Sequence, residues 1–273
     1  MATANVNGVQ LYYELSGSGQ IPLVLVHGSW TSHHSWDLVV PGLAESFRVL
    51  VYDRRGHSRS QRPAAQGSVR EDVADLAALV EQLGFAPAWV AGNSFGGSIT
   101  LRLAAERPDL LRGVMAHEPP LFSLLAGDPA VAPMLEATGK RIGAVVARIA
   151  SGDHAGAAEL FVETVAFGPG AWAKLPPDLR RTFIENAPTF QDEANDPQQL
   201  AFDLDWIKAF PRPALLSAGD QSPPTFGPVV ALLATALPGA EVHTFHGAGH
   251  IPHVTHPEAY VKAMVDFARR HPR

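Results

Sequence analysis

Cysteine is absent from the 273-residue chain. That removes disulfides, thiolate nucleophiles and thiolate-bound zinc together, and leaves the redox compartment open. Any chemistry must use oxygen or nitrogen groups. Positive charge is also scarce: 21 Lys and Arg stand against 27 Asp and Glu, a net charge of −6, so no basic footprint invites nucleic acid. Long apolar runs are missing too. The longest, such as Pro22 to Val26, suit buried strands and fall far short of a membrane span. The amino terminus, Met1-Ala2-Thr3-Ala4-Asn5, has no basic region ahead of an apolar run and does not read as a signal peptide, so a cytoplasmic chain is expected.

What is present describes a globular protein. The chain is 46% hydrophobic and 18% charged, and its 24 glycines follow no three-residue period, which excludes disordered and collagen-like classes. The length predicts one large domain, or one domain with an insertion. Asn7-Gly8 marks a β-hairpin turn, because both residue types tolerate positive φ. Short β-branched runs then alternate with helical segments, the pattern of a mostly parallel sheet with crossover helices and thus an α/β fold. Strands are predicted at Leu23–His27, Arg48–Tyr52, Ala88–Gly92, Gly113–His117, Ala214–Ala218 and Glu241–Phe245. Ser68-Val69-Arg70-Glu71 is a capping box opening a helix whose inner face is Val73, Leu76, Val80 and Leu83, ended by Gly84. Further helices are predicted from Ser94 toward Pro108 and from Pro257 to about Arg270. Between Pro119 and Pro213 the strand rhythm stops and the sequence turns alanine-rich and helical. The expected organisation is therefore a core of residues 1–119 and 213–273 with a helical cap of residues 120–212 inserted between two strands.

The sharpest local signal is Gly92-Asn93-Ser94-Phe95-Gly96. A G-x-S-x-G pattern between a predicted strand and a predicted helix is the setting of a serine nucleophile on a strained turn, where flanking side chains would collide. A serine hydroxyl needs a base to take its proton. His250, in Gly247-Ala248-Gly249-His250 between the last strand and the last helix, is the leading candidate, at the strand end where open α/β sheets bind ligands. His243, His246, His250, His253 and His256 recur every three or four residues. They cross a strand, a glycine loop and a helix start, so no metal site is expected of them. The imidazole needs an orienting carboxylate. Asp220, directly after the strand Ala214–Ala218, is favoured, because an acid on the loop preceding the histidine's strand reaches it most simply; Glu118, after His117, is its rival. Backbone amides serve well as oxyanion donors. Those of Phe95, after the serine, and Ser29, in His27-Gly28-Ser29-Trp30, are the candidates, with His27 itself structural. Five of the 24 glycines, at 28, 92, 96, 97 and 249, fall on these loops.

Together these residues resemble the α/β-hydrolase family over nearly the whole chain. His27-Gly28-Ser29-Trp30 resembles its oxyanion loop, Gly92 to Gly97 its nucleophile elbow, and Ala218-Gly219-Asp220 and Gly249-His250 its acid and histidine sites, in the family's order of Ser, Asp, His. Tyr52 to Ser60 is similar to the corresponding segment of the cofactor-free haloperoxidase and esterase branch. Ser94 stands where epoxide hydrolases and haloalkane dehalogenases carry aspartate. Ile251 stands where carbon–carbon bond hydrolases usually carry tryptophan, and Ser29-Trp30-Thr31 lacks the Gly-Pro-Gly of proline iminopeptidases. The resemblance implies a serine hydrolase without cofactor, using water to cleave a small to medium apolar ester, with Ser94, Asp220 and His250 as triad and Trp30, Phe95, Phe122, Trp172 and Trp206 as pocket candidates. For Trp172 and Trp206 a packing role between helices is an equal expectation. Perhydrolysis, with peroxide replacing water, and small-molecule sensing by a retained triad are the alternative expectations.

Overall fold

The alternation of short apolar runs with helical segments closes into one sheet covered on both faces. The structure, a computed structural model, describes residues 2–199 and 201–272. Among these, eight strands, β1 (Ala2–Val6), β2 (Val9–Ser16), β3 (Pro22–Val26), β4 (Arg48–Tyr52), β5 (Ala88–Asn93), β6 (Leu111–His117), β7 (Ala214–Gly219) and β8 (Glu241–Phe245), lie in the order β1-β2-β4-β3-β5-β6-β7-β8. The β1–β2 and β2–β4 pairs are antiparallel and every other pair is parallel. Asn7 (φ 46°) and Gly8 (φ 80°) make the turn of the β1–β2 hairpin.

The helices are α1 (Val40–Ala44), α2 (Val69–Gln82), α3 (Phe95–Glu106), α4 (Ala132–Ala150), α5 (His154–Phe161), α6 (Ala171–Lys174), α7 (Pro177–Asn195), α8 (Phe226–Ala236), α9 (Pro252–Thr255) and α10 (Pro257–Arg270). Side chains alternate across a strand, so β3 sends Val24 and Val26 to one face and Leu23 and Leu25 to the other. The first pair packs with Val73, Leu76 and Val80 of α2, Ile99 and Leu103 of α3, and Val230 and Leu233 of α8. The second packs with Leu43 of α1 and Tyr260, Met264 and Phe267 of α10. Burial on both faces is why these strands read as continuous apolar runs. The Ser68 hydroxyl caps α2 through the Glu71 amide and in turn donates to the Glu71 carboxylate at 3.0 Å, while Gly84 ends the segment at φ 63°.

Between Pro119 and Pro213 no strand occurs among the described residues; α4 to α7 fill the interval. This helical insertion has its own apolar cluster, and Trp30, from the loop after β3, is its centre. The Trp30 ring lies 4.9 Å from those of Phe161 and Phe190 and 6.2 Å from that of Phe183. Trp30 holds a positive φ of 67° to reach this position. Its side chain is wholly buried, so it joins core to insertion as a packing residue and lines no open pocket.

Two predictions follow from this packing. Trp30→Ala should remove about 3–5 kcal/mol of unfolding free energy, measured by denaturant titration; a loss under about 1 kcal/mol would contradict Trp30 as the anchor. The second concerns His27 and His117, both buried. Burial, then the Arg54 cation, pushes His27 down to about 3, and burial pushes His117 down to about 3. Unfolded, each titrates near ~6.5. Between those values the unfolded chain carries protons that the native state refuses. Stability should therefore be full above pH ~6.5 and drain toward pH ~3 by about 1.4 kcal/mol per pH unit per histidine. Denaturation midpoints between pH 7 and pH 4 check this, and His117→Gln should flatten the slope.

Candidate active site

The parallel register aligns three strand ends. Val26 pairs with Gly92, Asn93 with His117, and His117 with Ser217, so Ser94 and Glu118 are neighbours just beyond the sheet. The ladder continues one step past the strands: the Ser94 amide donates to the His117 carbonyl at 2.9 Å, and the Glu118 amide to the Ser217 carbonyl at 3.1 Å.

Ser94 sits at φ 54°, ψ −124°, a conformation that side chains other than glycine adopt only under strain. The flanking glycines are required by close backbone approach: a Cβ at Gly92 would strike the Gly96 carbonyl, and one at Gly96 the Val26 carbonyl. The turn between β5 and α3 is thus pressed onto the end of β3. Gly28 lies against it, where a Cβ would come within 3.1 Å of the Ser94 Cβ and 3.2 Å of the Asn93 carbonyl. This brings the Gly28-Ser29 loop beside Ser94. Phe95 is the first residue of α3, and its amide, like any in a first turn, has no intrahelical acceptor.

His250 lies on the loop between β8 and α9. Its Nδ1 is 2.6 Å from Oε2 of Glu118, whose side chain is fully buried. The other carboxylate oxygen accepts from the Gly219 amide at 2.7 Å. Burial alone would push the Glu118 carboxyl up; the His250 hydrogen bond and the neighbouring imidazoles of His117 and His250 outweigh it and hold the group below its ordinary value. Glu118 holds φ 45°, a second strained residue on the same rim. The Asn93 side-chain amide donates to the His250 carbonyl at 3.2 Å. Phe226 lies flat on the imidazole, with centroids 4.6 Å apart and planes 21° from parallel, and Phe122 packs against Phe226 at 5.4 Å.

The expectation that Asp220 faces His250 is corrected by this geometry. Asp220 lies at the outer surface, where Oδ2 meets Nδ1 of the exposed His246 at 3.0 Å and Oδ1 accepts from the Gly247 amide at 2.8 Å. Its hydrogen bonds from His246, Gln221 and Gly247 lower its pKa. Asp220 therefore ties down the glycine loop that carries His250 and does not orient the imidazole. The reason is reach. Glu118 follows β6 in register with Ser94 and has one methylene more than aspartate, whereas β7 runs on through Ala218 and Gly219 past Ser217, the partner of His117, and sets Asp220 farther out.

The remaining candidates separate in the same way. Phe122 reaches the His250 side through Phe226. Phe95 is buried, with the Arg54 guanidinium 4.6 Å over its ring. Trp172 packs within the helical insertion, with Arg180 6.0 Å over its ring. Trp206 is 50% exposed and meets the edge of Phe202 at 5.5 Å. His253 is buried against Trp36 and Tyr260. With His246 exposed on Asp220 and His250 on Glu118, the recurring histidines diverge; among the described residues no cluster of three or more ligand-type side chains forms a metal site.

Reasoning from sequence missed a buried ion cluster beside Ser29. Arg54, in the loop after β4, bonds Asp72 of α2 through Nε at 3.2 Å and Nη2 at 2.9 Å, and Glu193 of α7 through Nη2 at 2.8 Å. Burial works against the cation, but Asp72 and Glu193 outweigh it and raise its pKa. Glu193 in turn accepts from the Ser29 hydroxyl at 2.5 Å. The face of α7 that docks here is read every three or four residues. Asn186 accepts from the Ser58 amide at 2.8 Å and donates to the Thr31 carbonyl at 2.9 Å, Thr189 meets His57 Nε2 at 2.9 Å, and Glu193 holds Arg54. In the sequence Glu193 is one of several acids near Asp192 and Asp196, and nothing local marks it.

Comparison with known proteins agrees with this geometry. The family model described as alpha/beta hydrolase fold matches residues 21–257. A pimeloyl-[acyl-carrier protein] methyl ester esterase of Yersinia pseudotuberculosis is 25% identical over 269 residues, covering 95% of this chain and 97% of the relative. A soluble epoxide hydrolase of a Corynebacterium strain is 38% identical over 108 residues, but that match spans only 40% of this chain and 37% of the relative's length. The enol-lactonase of Burkholderia xenovorans LB400 superposes with a TM-score of 0.80 at 23% identity, over 98% of this chain and 100% of that one, a likeness of fold. A family model spanning most of the chain, an eight-stranded sheet in this order and a strained serine at the β5–α3 turn identify the protein as a member of the α/β-hydrolase family.

Proposed function

We propose that the protein is a serine hydrolase cleaving a small to medium, largely apolar carboxylic ester through an acyl-enzyme, with Ser94, His250 and Glu118 as its triad and α4 to α7 as a cap. The single observation that carries the reading is the 2.6 Å hydrogen bond between His250 and buried Glu118, on the rim where Ser94 stands on its strained turn. With its Nδ1–H donated in a hydrogen bond to the Glu118 carboxylate, His250 presents a lone pair at Nε2. Ser94 Oγ attacks the acyl carbonyl as its proton passes to Nε2. The oxyanion accepts from the amides of Phe95 and Ser29. Collapse expels the alcohol, which takes the proton from His250. Water then attacks the acyl-enzyme, giving a proton to Nε2 that returns to Ser94 as the acid departs. Phe226 stacked on the imidazole fixes the plane of the ring. The apolar surroundings of Phe122 and Phe226 suit an uncharged group beside the imidazole, and the Yersinia relative is named as a methyl ester esterase.

Nitrophenyl esters of increasing acyl length test this. The wild type should turn over the shorter members, and Ser94→Ala should lower kcat by at least about 1,000-fold. Equal rates in both proteins would remove Ser94 as nucleophile, and a wild type inert across the panel would remove the esterase reading. The same assay distinguishes the acids: Glu118→Gln should reduce kcat/KM by about 100-fold or more, and Asp220→Asn by about threefold or less, through its loop alone. The reverse order would restore Asp220 as the orienting acid.

A further inference from the structure

The buried cluster at Arg54 acts on one particular peptide bond. The carbonyl of Gly28 and the amide of Ser29 belong to the same planar, trans unit, so fixing the direction of one fixes the other in the opposite sense. Three donors converge on the Gly28 carbonyl: His27 Nδ1 at 2.8 Å, Thr31 Oγ1 at 3.2 Å and Arg54 Nη1 at 3.3 Å. His27 is itself locked, because its Nε2 accepts from the Arg54 amide at 2.9 Å. The tautomer is therefore the one with the proton on Nδ1, the atom that meets the carbonyl. The Ser29 hydroxyl is held separately, by Glu193 at 2.5 Å, and the same Glu193 is paired with Arg54 at 2.8 Å. One guanidinium thus grips the carbonyl side of the peptide directly and the serine side through a carboxylate. Glu193 is 6% exposed and belongs to the helical insertion, about 140 residues further along the chain.

We propose that Glu193 is a positioning residue for the oxyanion donor: by latching the Ser29 hydroxyl to Arg54, it aims the Ser29 amide at the site beside Ser94, and it does so only while α7 is docked. This inference rests on the ester-hydrolase reading of that site. Docking of the insertion then sets the power of the oxyanion hole as well as the shape of the pocket. Ordinary cap adhesion is supplied elsewhere on α7, for example by Asp192, whose carboxylate pairs with Arg62 at 2.7 Å.

Ser29→Ala deletes only the hydroxyl and keeps the amide, the cation and both carboxylates. Glu193→Gln keeps the shape and removes the charge. Asp192→Asn removes a cap–core ion pair away from the loop. Each is assayed beside the wild type for kcat and KM on a nitrophenyl ester and for inhibition by an alkylboronic acid, whose tetrahedral adduct on a serine puts an oxygen in the oxyanion position. Ser29→Ala and Glu193→Gln should each weaken the boronic acid and lower kcat by about tenfold, less than outright loss of an oxyanion donor costs, with KM within about twofold. The double variant should be little worse than the more damaged single one, since both break the same latch. Asp192→Asn should match the wild type within about twofold in boronic acid affinity. The inference is overturned if the active wild type and both latch variants bind the boronic acid alike, if KM rises while kcat holds, or if Asp192→Asn loses as much. A wild type that neither hydrolyses the esters nor binds the boronic acid overturns the esterase reading itself, and this inference with it.

Discussion

The close crossing of backbone where β5 turns into α3 is the constraint on which the rest of the site depends. Gly96 rides on the Val26 carbonyl, and Gly92 leaves no room for a side chain beneath the Gly96 carbonyl. That contact forces Ser94 into its positive-φ conformation and lifts the side chain off the end of the sheet. Such strain persists only where the surroundings over-determine it. Here α3 packs on the sheet through Ile99, Leu101 and Leu103, all fully buried, and the ladder continues through the Ser94 amide to β6.

Around this point the protein buries charge. Arg54, Asp72 and Glu193 come from three elements and would each be costly alone. Such a cluster is weak evidence for stability, since apolar residues of similar volume often do as well. Its value lies in direction. A guanidinium has donors in a rigid plane, and this one uses them to hold α2, α7 and the Gly28 carbonyl in fixed relation. Removing one member would strand the others, a loss of about 3–5 kcal/mol for a buried pair.

The carboxylate that meets His250 shows how far sequence reasoning extends. Both Glu118 and Asp220 stand after parallel strands, and the choice between them turned on loop adjacency along the chain. The structure decides on register and reach instead. His117 is level with Asn93 and Ser217, so Glu118 starts at the rim, turns inward through its positive φ and is closed over by the Gly219 amide. Asp220 is left to organise the outside of the His250 loop. The aromatic candidates differ for a related reason. Trp30 directly follows Gly28-Ser29 in sequence, but a positive φ turns its ring into the insertion. Phe226, with no motif around it, stacks on His250 because α8 begins beside the end of β7.

The amino-acid sequence by itself determined six of the eight strands to within two residues at their ends, the hairpin at Asn7-Gly8, the glycine-flanked serine and the loop that carries His250. These depend on hydrophobic period, turn chemistry and the absence of a Cβ, all of which act over a few residues. Tertiary structure alone decided which carboxylate meets His250, which aromatics surround it, and that Glu193 reaches across from the insertion to Ser29. The two polar contacts join residues 132 and 164 positions apart. They follow from strand register and helix docking, which no local pattern encodes.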